Sequence, residues 1–163
     1  MADKRVVFFT VSGQTYGLDV SYTQGIEKFV NLLPVPNTLS HIKGLITLRG
    51  EVIPIYSLRK KFGLPETKPT DATQLIITRL QSGISLAFEV DGVREIVEIS
   101  EDAETIAPAL VMSGDTKYIE KVVQLKQNLA ILINPEGILT DEEKDNIEKY
   151  LEKLKKEALK KEV

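Results

Sequence analysis

Apolar and polar positions alternate in short runs along most of the chain and change period only near its end. Residues 5–11 hold Val6, Val7, Phe8, Phe9 and Val11, a strand with apolar residues on both faces. Ser12-Gly13-Gln14 turns it, and residues 15–20 return with Tyr16, Leu18 and Val20 on one face. Tyr22, Ile26, Phe29, Val30 and Leu33 lie near helical spacing behind a possible cap at Ser21. A short helix is expected there, weakened by Gly25 and ended by Pro34 and Pro36. Residues 37–41 read as a loop. The next stretch, residues 42–59, organises the rest: two β-rich runs flank Arg49-Gly50-Glu51, as in a tight hairpin. Pro54 has no N–H for a ladder. Its strand should be an edge strand, bulge there, or turn residue 54 away from a neighbour.

One helical turn is expected over residues 58–62, stopped by Gly63 and Pro65, and residues 65–71 form the best internal boundary. Strands follow over 74–80, 84–90 and 93–99. A long connection over 100–116 carries Ile106, Leu110, Val111 and Met112. A last hairpin spans 117–125 and 129–134 around Lys126-Gln127-Asn128. Short strands without crossover helices favour small barrels over a parallel sheet. A barrel of about sixty residues is marginal alone, so two should share a core. The expected fold is mainly β: two small barrels over about 5–66 and 67–139, with short helices and a C-terminal helix over 140–160. That helix has capping-box spacing at Thr140 and Glu143, and a stripe of Ile147, Tyr150, Leu151, Leu154 and Ala158.

Composition narrows the function. The 163 residues are 42% hydrophobic, enough for a core, and no run approaches the roughly 18 apolar residues of a membrane span. The N-terminus lacks a signal-peptide pattern, which leads to an expectation of a cytoplasmic protein. There is no cysteine, and His41 is the only histidine. This removes thiolate sites and makes a Ser-His-Asp triad or a histidine metal site a poor reading. Phosphate-cradling glycine motifs are missing. Glu89 and Asp91 read as strand-surface charges, not as an acid and base pair. A net charge of −3 argues against a nucleic-acid surface, although Arg5, Phe8 and Phe9 could imitate a stacking platform. No enzymatic activity and no cofactor are expected. Arg49 reads either as a solvated hairpin residue or as a rigidly held guanidinium available for bidentate contact with a partner.

Several stretches together resemble the CheW-type chemotaxis coupling proteins. They are Tyr16-Gly17-Leu18-Asp19-Val20, Leu33-Pro34-Val35-Pro36-Asn37, residues 42–50 with their Gly-x-x-x-Leu-Arg-Gly core, and Val52-Ile53-Pro54-Ile55. Leu58-Arg59-Lys60-Lys61-Phe62-Gly63 and Phe88-Glu89-Val90-Asp91-Gly92-Val93 complete the set. The resemblance covers roughly residues 5–140. It implies two SH3-like five-stranded β-barrels and a scaffold with no catalysis. It also implies two partners: the cytoplasmic tip of a methyl-accepting chemoreceptor, and the regulatory domain of the histidine kinase CheA. By position it implies receptor binding at Thr23, Ile26, Gly44, Leu48, Arg49 and Gly50. It implies kinase binding on the second barrel near Gln74, Leu75, Ala87 and Ile96. Such a chain would be monomeric when free, bind no nucleic acid, and reach receptor arrays at the inner membrane face only through its partners. A scaffold for a non-chemotaxis kinase pathway is the alternative within the family, and a small nucleic-acid-binding barrel the alternative outside it. The chain departs from the family pattern at Thr23, Gly25, Thr47, Ser57, Glu120-Lys121 and Gln127-Asn128.

Overall fold

The structure, a computed structural model, describes residues 4–29, 32–33, 41–100, 105–106, 118–125 and 128–161, with the side chains of the final helix as far as Lys156. In chain order the strands are β1 (Lys4–Val11), β2 (Gln14–Asp19), β3 (Thr23–Lys28), β4 (Ile42–Leu48) and β5 (Glu51–Ser57). The one-turn helix α1 (Leu58–Lys61) follows. Then come β6 (Gln74–Arg79), β7 (Ser85–Val90), β8 (Gly92–Ile99), β9 (Thr105–Ile106), β10 (Ile119–Leu125), β11 (Asn128–Ile133) and the helix α2 (Asp141–Lys161).

Two sheets form, in the orders β8-β1-β2-β11-β10-β9 and β3-β6-β7-β5-β4. The first is five strands plus the two-residue β9. These sheets do not follow the expected division near residue 66. β1 and β2 belong with the late strands, joined to them through the β1–β8 ladder and the parallel β2–β11 ladder. β6 and β7 belong with the early ones, through β3–β6 and the parallel β5–β7 ladder. Local periodicity reports each strand's faces and says nothing about which distant strand will pair with it.

This interleaving explains why so many strands are apolar on both faces. Val7, Phe9, Val11, Tyr16 and Leu18 of one sheet meet Tyr56, Ile76, Leu86, Phe88 and Val90 of the other in one central core. The opposite face of β1 puts Val6 and Phe8 into a separate core with Val123, Ala130 and Leu132. The opposite faces of β5, β6 and β7 put Ile53, Ile55, Leu75, Ile77 and Ala87 into a third. Each SH3-like unit therefore has its own interior, and the pair share the layer between them. Full burial of each Val, Leu, Ile or Phe among them contributes about 1.5–3 kcal/mol.

The helix expected after Ser21 is replaced by one 3₁₀ turn, Val20–Tyr22, and strand β3. Asp19, not Ser21, caps that turn, its Oδ1 accepting the Ser21 N–H at 2.9 Å. Thr23 is already extended, at φ −87° and ψ 123°, and a bulge between Thr23 and Gly25 carries the strand onto β6. Tertiary pairing with β6 overrides an apolar spacing that suits a helix equally well. Val30, Pro34, Pro36, Leu110, Val111, Met112 and Gln127 lie outside the described residues. Ile106, in the long connection, pairs with Val122 in the β9–β10 ladder.

Pro54 stands in an interior strand, opposite Leu45 of β4. The parallel ladder with β7 begins one residue later, at Ile55. The bulge in the β4–β5 ladder lies at residues 42–44 instead. α1 is capped by Ser57, whose Oγ accepts the Lys60 N–H, and Phe62 at its end stacks between Tyr16 and Tyr118 at 4.8 and 5.2 Å. α2 starts with the reciprocal capping box: Thr140 N–H donates to Glu143 Oε1, and Glu143 N–H to Thr140 Oγ1, both at 3.1 Å. Its Ile147 is buried, and Tyr150 and Leu151 pack on the central core.

Candidate functional site

The hairpin turn between β4 and β5 has two residues, Arg49 at φ 51° and Gly50 at φ 80°. Both values are left-handed, the type I′ geometry whose twist matches a two-residue hairpin. Glycine adopts this freely; arginine does so against its Cβ. The turn therefore holds an exposed guanidinium on a short, fixed backbone, at a local cost.

Beside it lies a cleft of about 170 Å³. β3 supplies Gln24, Gly25 and Glu27. The hairpin supplies Leu48, Arg49, Glu51 and Ile53. β6 and β7 supply Ile77, Arg79 and Ser85. Ile53 and Ile77 belong to the barrel's inner core, so this cleft is its mouth, ringed by charge. Arg79 Nη2 and Glu51 Oε2 face each other across the rim at 3.4 Å. On the far side of the turn, Gly50, Glu51, Val52 and residues 82–85 face α2 across a groove of about 690 Å³.

Of the expected receptor-binding residues, Leu48 and Arg49 line the mouth, and Thr23 and Ile26 bracket the Gln24–Gly25 wall. Thr23 Oγ1 is buried without a hydrogen-bond partner among the described residues. Ile26 is half-buried against the central core. Gly50 faces the α2 groove rather than the mouth. Gly44 belongs to neither. It is buried where Leu33 bridges to Leu45, and a Cβ there would stand 2.4 Å from Leu32 Cδ1 and 2.7 Å from the Leu33 carbonyl oxygen. Its service to the site is a close backbone approach.

The expected kinase-binding residues fall on two sheets: Gln74, Leu75 and Ala87 on the paired strands β6 and β7, and Ile96 on β8. Leu75 and Ala87 are both 0% exposed, which excludes them as direct contacts. They lie in interior strands with cores on both faces, so their neighbours, not they, can meet a partner. Gln74 Oε1 accepts the Val93 N–H at 2.8 Å, which ties it into the fold. Ile96 is 48% exposed on β8, an outer strand of the other sheet.

Charged residues of the sequence motifs brace this frame. Arg59 Nη2 donates to Asp91 Oδ2 at 2.7 Å, and the same oxygen accepts the Ser12 N–H at 2.7 Å, clamping α1 to the β1–β2 turn. Lys43 Nζ lies 2.8 Å from Glu89 and 3.5 Å from Glu66, whose carboxylate also accepts a hydrogen bond from Ser57 Oγ. Glu143 holds α2 down through His41 Nδ1 at 3.0 Å and Lys61 Nζ at 3.7 Å. Burial alone would raise the Glu143 carboxyl. The hydrogen bonds from His41 and the Thr140 amide, with the Lys61 and His41 charges, outweigh it and hold the carboxyl below its usual range. Burial, followed by the nearby Glu143 charge, pushes the Tyr56 phenol far above its usual value. Sequence reasoning missed Gln24, Glu27, Glu51, Arg79 and Ser85 as site residues. Glu51 and Arg79 are charged residues at the ends of apolar runs, which was the signal for the rim, but the helical reading of β3 hid the opposite wall.

Residues 5–143 match the family model described as the CheW-like domain. The chain belongs to the CheW-like domain family. It is 31% identical over 139 residues to the chemotaxis protein CheW of Bacillus subtilis, covering 85% of this chain and 88% of that one. It is 28% identical over 146 residues to the CheW of Klebsiella aerogenes, covering 88% and 87%. The crystal structure of scaffolding protein TtCheW from Thermoanaerobacter tengcongensis superposes with a TM-score of 0.73 at 29% identity, over 82% of this chain and 90% of that one. CheW-like domains are non-catalytic scaffolds, so the chain is an adaptor in the chemotaxis class and not an enzyme. The Arg49 turn, its cleft and the Arg59–Asp91 clamp all lie inside the matched span. Most of α2 lies beyond it. Among the described residues, no helix is long and apolar enough to cross a membrane, and no cluster of His, Asp and Glu is arranged to hold a metal.

Proposed function

We propose that this chain couples the cytoplasmic tips of chemoreceptors to the histidine kinase CheA, binding both without catalysis, in the cytoplasm and at receptor arrays on the inner membrane face. The observation that carries the reading is the left-handed Arg49 at the mouth of the barrel, in a chain whose relatives are named chemotaxis CheW. An arginine in a type I′ turn is locally unfavourable, and a guanidinium aimed over a cleft is what such a turn can offer in exchange. The receptor is assigned to the cleft walled by Leu48, Arg49 and residues 24–27, flanked by Thr23 and Ile26. CheA's regulatory domain is assigned elsewhere, with Ile96 and the exposed rim of β8 as its contact. Joining both partners gives receptor conformation a coupling free energy on the kinase.

The test is calorimetry of the full chain with a receptor cytoplasmic hairpin and with the CheA regulatory domain, alone and together. Binding of each without displacement of the other supports the reading. Mutual exclusion, or binding of neither, contradicts it.

A further inference from the structure

Ser85 opens β7, opposite Arg79 of β6. It is 6% exposed, and its Oγ is closed off from solvent with no hydrogen-bond partner among the described residues. An unpaired buried hydroxyl is unfavourable, and alanine would remove the problem at almost no change in shape. Ser85, like Glu51, lines both the barrel mouth beside Arg49 and the groove beneath α2. A serine hydroxyl is re-aimed by rotation about χ1 alone, between staggered wells.

We propose that Ser85 is a specificity-determining residue of the Arg49 cleft, its hydroxyl left unpaired in the free chain so that it can hydrogen-bond a side-chain amide inserted by the receptor. The inference rests on the assignment of that cleft to the receptor. The mouth, about 170 Å³, has room for a side chain, whereas a helix with its side chains is about 10–12 Å across. Ile53 and Ile77 give it an apolar lining, so the insert must bring its own partner for any polar atom other than those Ser85 and the rim can meet. A charged insert would face carboxylates at Glu27 and Glu51 and guanidinia at Arg49 and Arg79, a ring with no preferred sign. A purely apolar insert would bury the Ser85 hydroxyl unpaired for a second time. A neutral amide has both a donor and an acceptor and satisfies the hydroxyl in either sense.

The experiment uses the full chain and its Ser85→Ala variant, titrated with a receptor cytoplasmic hairpin and with hairpin variants in which each Asn or Gln near the tip is changed to Ala. We expect Ser85→Ala to raise Kd about tenfold, equivalent to about 1.4 kcal/mol, with a melting temperature equal to or above that of the wild type. One amide of the hairpin should lose its effect on binding once Ser85 is alanine, the signature of a direct pair in a double-mutant cycle. Unchanged affinity in Ser85→Ala, or no coupled amide, overturns this inference while leaving the receptor assignment standing. Failure of the wild-type chain to bind the hairpin removes both.

Discussion

Replacing Arg49 by Asn should move stability and receptor binding in opposite directions. Arg49 sits at φ 51° in a two-residue turn. A left-handed backbone costs an ordinary L-residue roughly 1–2 kcal/mol, and Asn escapes much of this through its short polar side chain. Arg49→Asn should then stabilise the chain by about 0.5–1 kcal/mol, the scale seen when a residue suits its backbone better. At about 2–4 °C per kcal/mol for a chain of this size, the melting temperature should rise by about 1–4 °C. Arg49→Ala keeps the backbone penalty and removes the guanidinium, so its stability should stay near that of the wild type. Both variants lose an anchoring arginine, for which about 2 kcal/mol of binding, or roughly thirtyfold in Kd, is a reasonable scale. Urea unfolding and calorimetry on the same samples measure both quantities. If Arg49→Asn is stabilised but binds the hairpin normally, Arg49 is only a turn residue and the site assignment is wrong. If it is destabilised, Arg49 is not held in a left-handed turn.

Other outcomes follow from the same contacts. Thr23→Val removes a buried hydroxyl that has no partner among the described residues, at nearly constant shape, and should raise unfolding stability by about 1 kcal/mol; a loss would show that Thr23 Oγ1 is paired. Gly44→Ala puts a Cβ against Leu32 and the Leu33 carbonyl and should destabilise by about 1–3 kcal/mol in urea unfolding; a neutral result would mean that the crossing segment yields. Glu143 has a folded pKa below its usual 4.5, so its stabilising contribution is fully present above that value and is lost as pH falls through the lower folded one. Glu143→Gln should flatten that part of the stability–pH profile, and a profile of unchanged slope would remove Glu143 as its source.

Strand faces and turns were legible in the sequence; strand neighbours were not. Residues 42–59 read as a hairpin because β-branched runs flank a glycine turn, and Thr140 with Glu143 announced α2 because capping is local chemistry. Phe8 and Phe9 signalled a strand covered on both sides, which the three apolar cores explain. The segment at 22–29 misled because Tyr22, Ile26 and Phe29 fit a helical stripe, while the decisive influence, pairing with β6 some fifty residues later, leaves no local mark. The same limit hid the depth of Leu75 and Ala87, because which cores lie above and below their strands is not written in the local sequence. Arg49 could be placed on a turn from local sequence, and the resemblance then marked it as a contact residue. Ser85 could not be singled out, because an unpaired hydroxyl exists only once its neighbours are in place.

The central claim is that two partners meet this chain at two separate surfaces, and amide chemical shifts of the isotope-labelled chain test it most directly. A receptor cytoplasmic hairpin is titrated first and the CheA regulatory domain second. The account predicts one set of shifts around residues 23–27, 48–51 and 85, and a second, non-overlapping set that includes Ile96 and its neighbours on β8. A single shared set, or no shifts with either cognate partner, would contradict it.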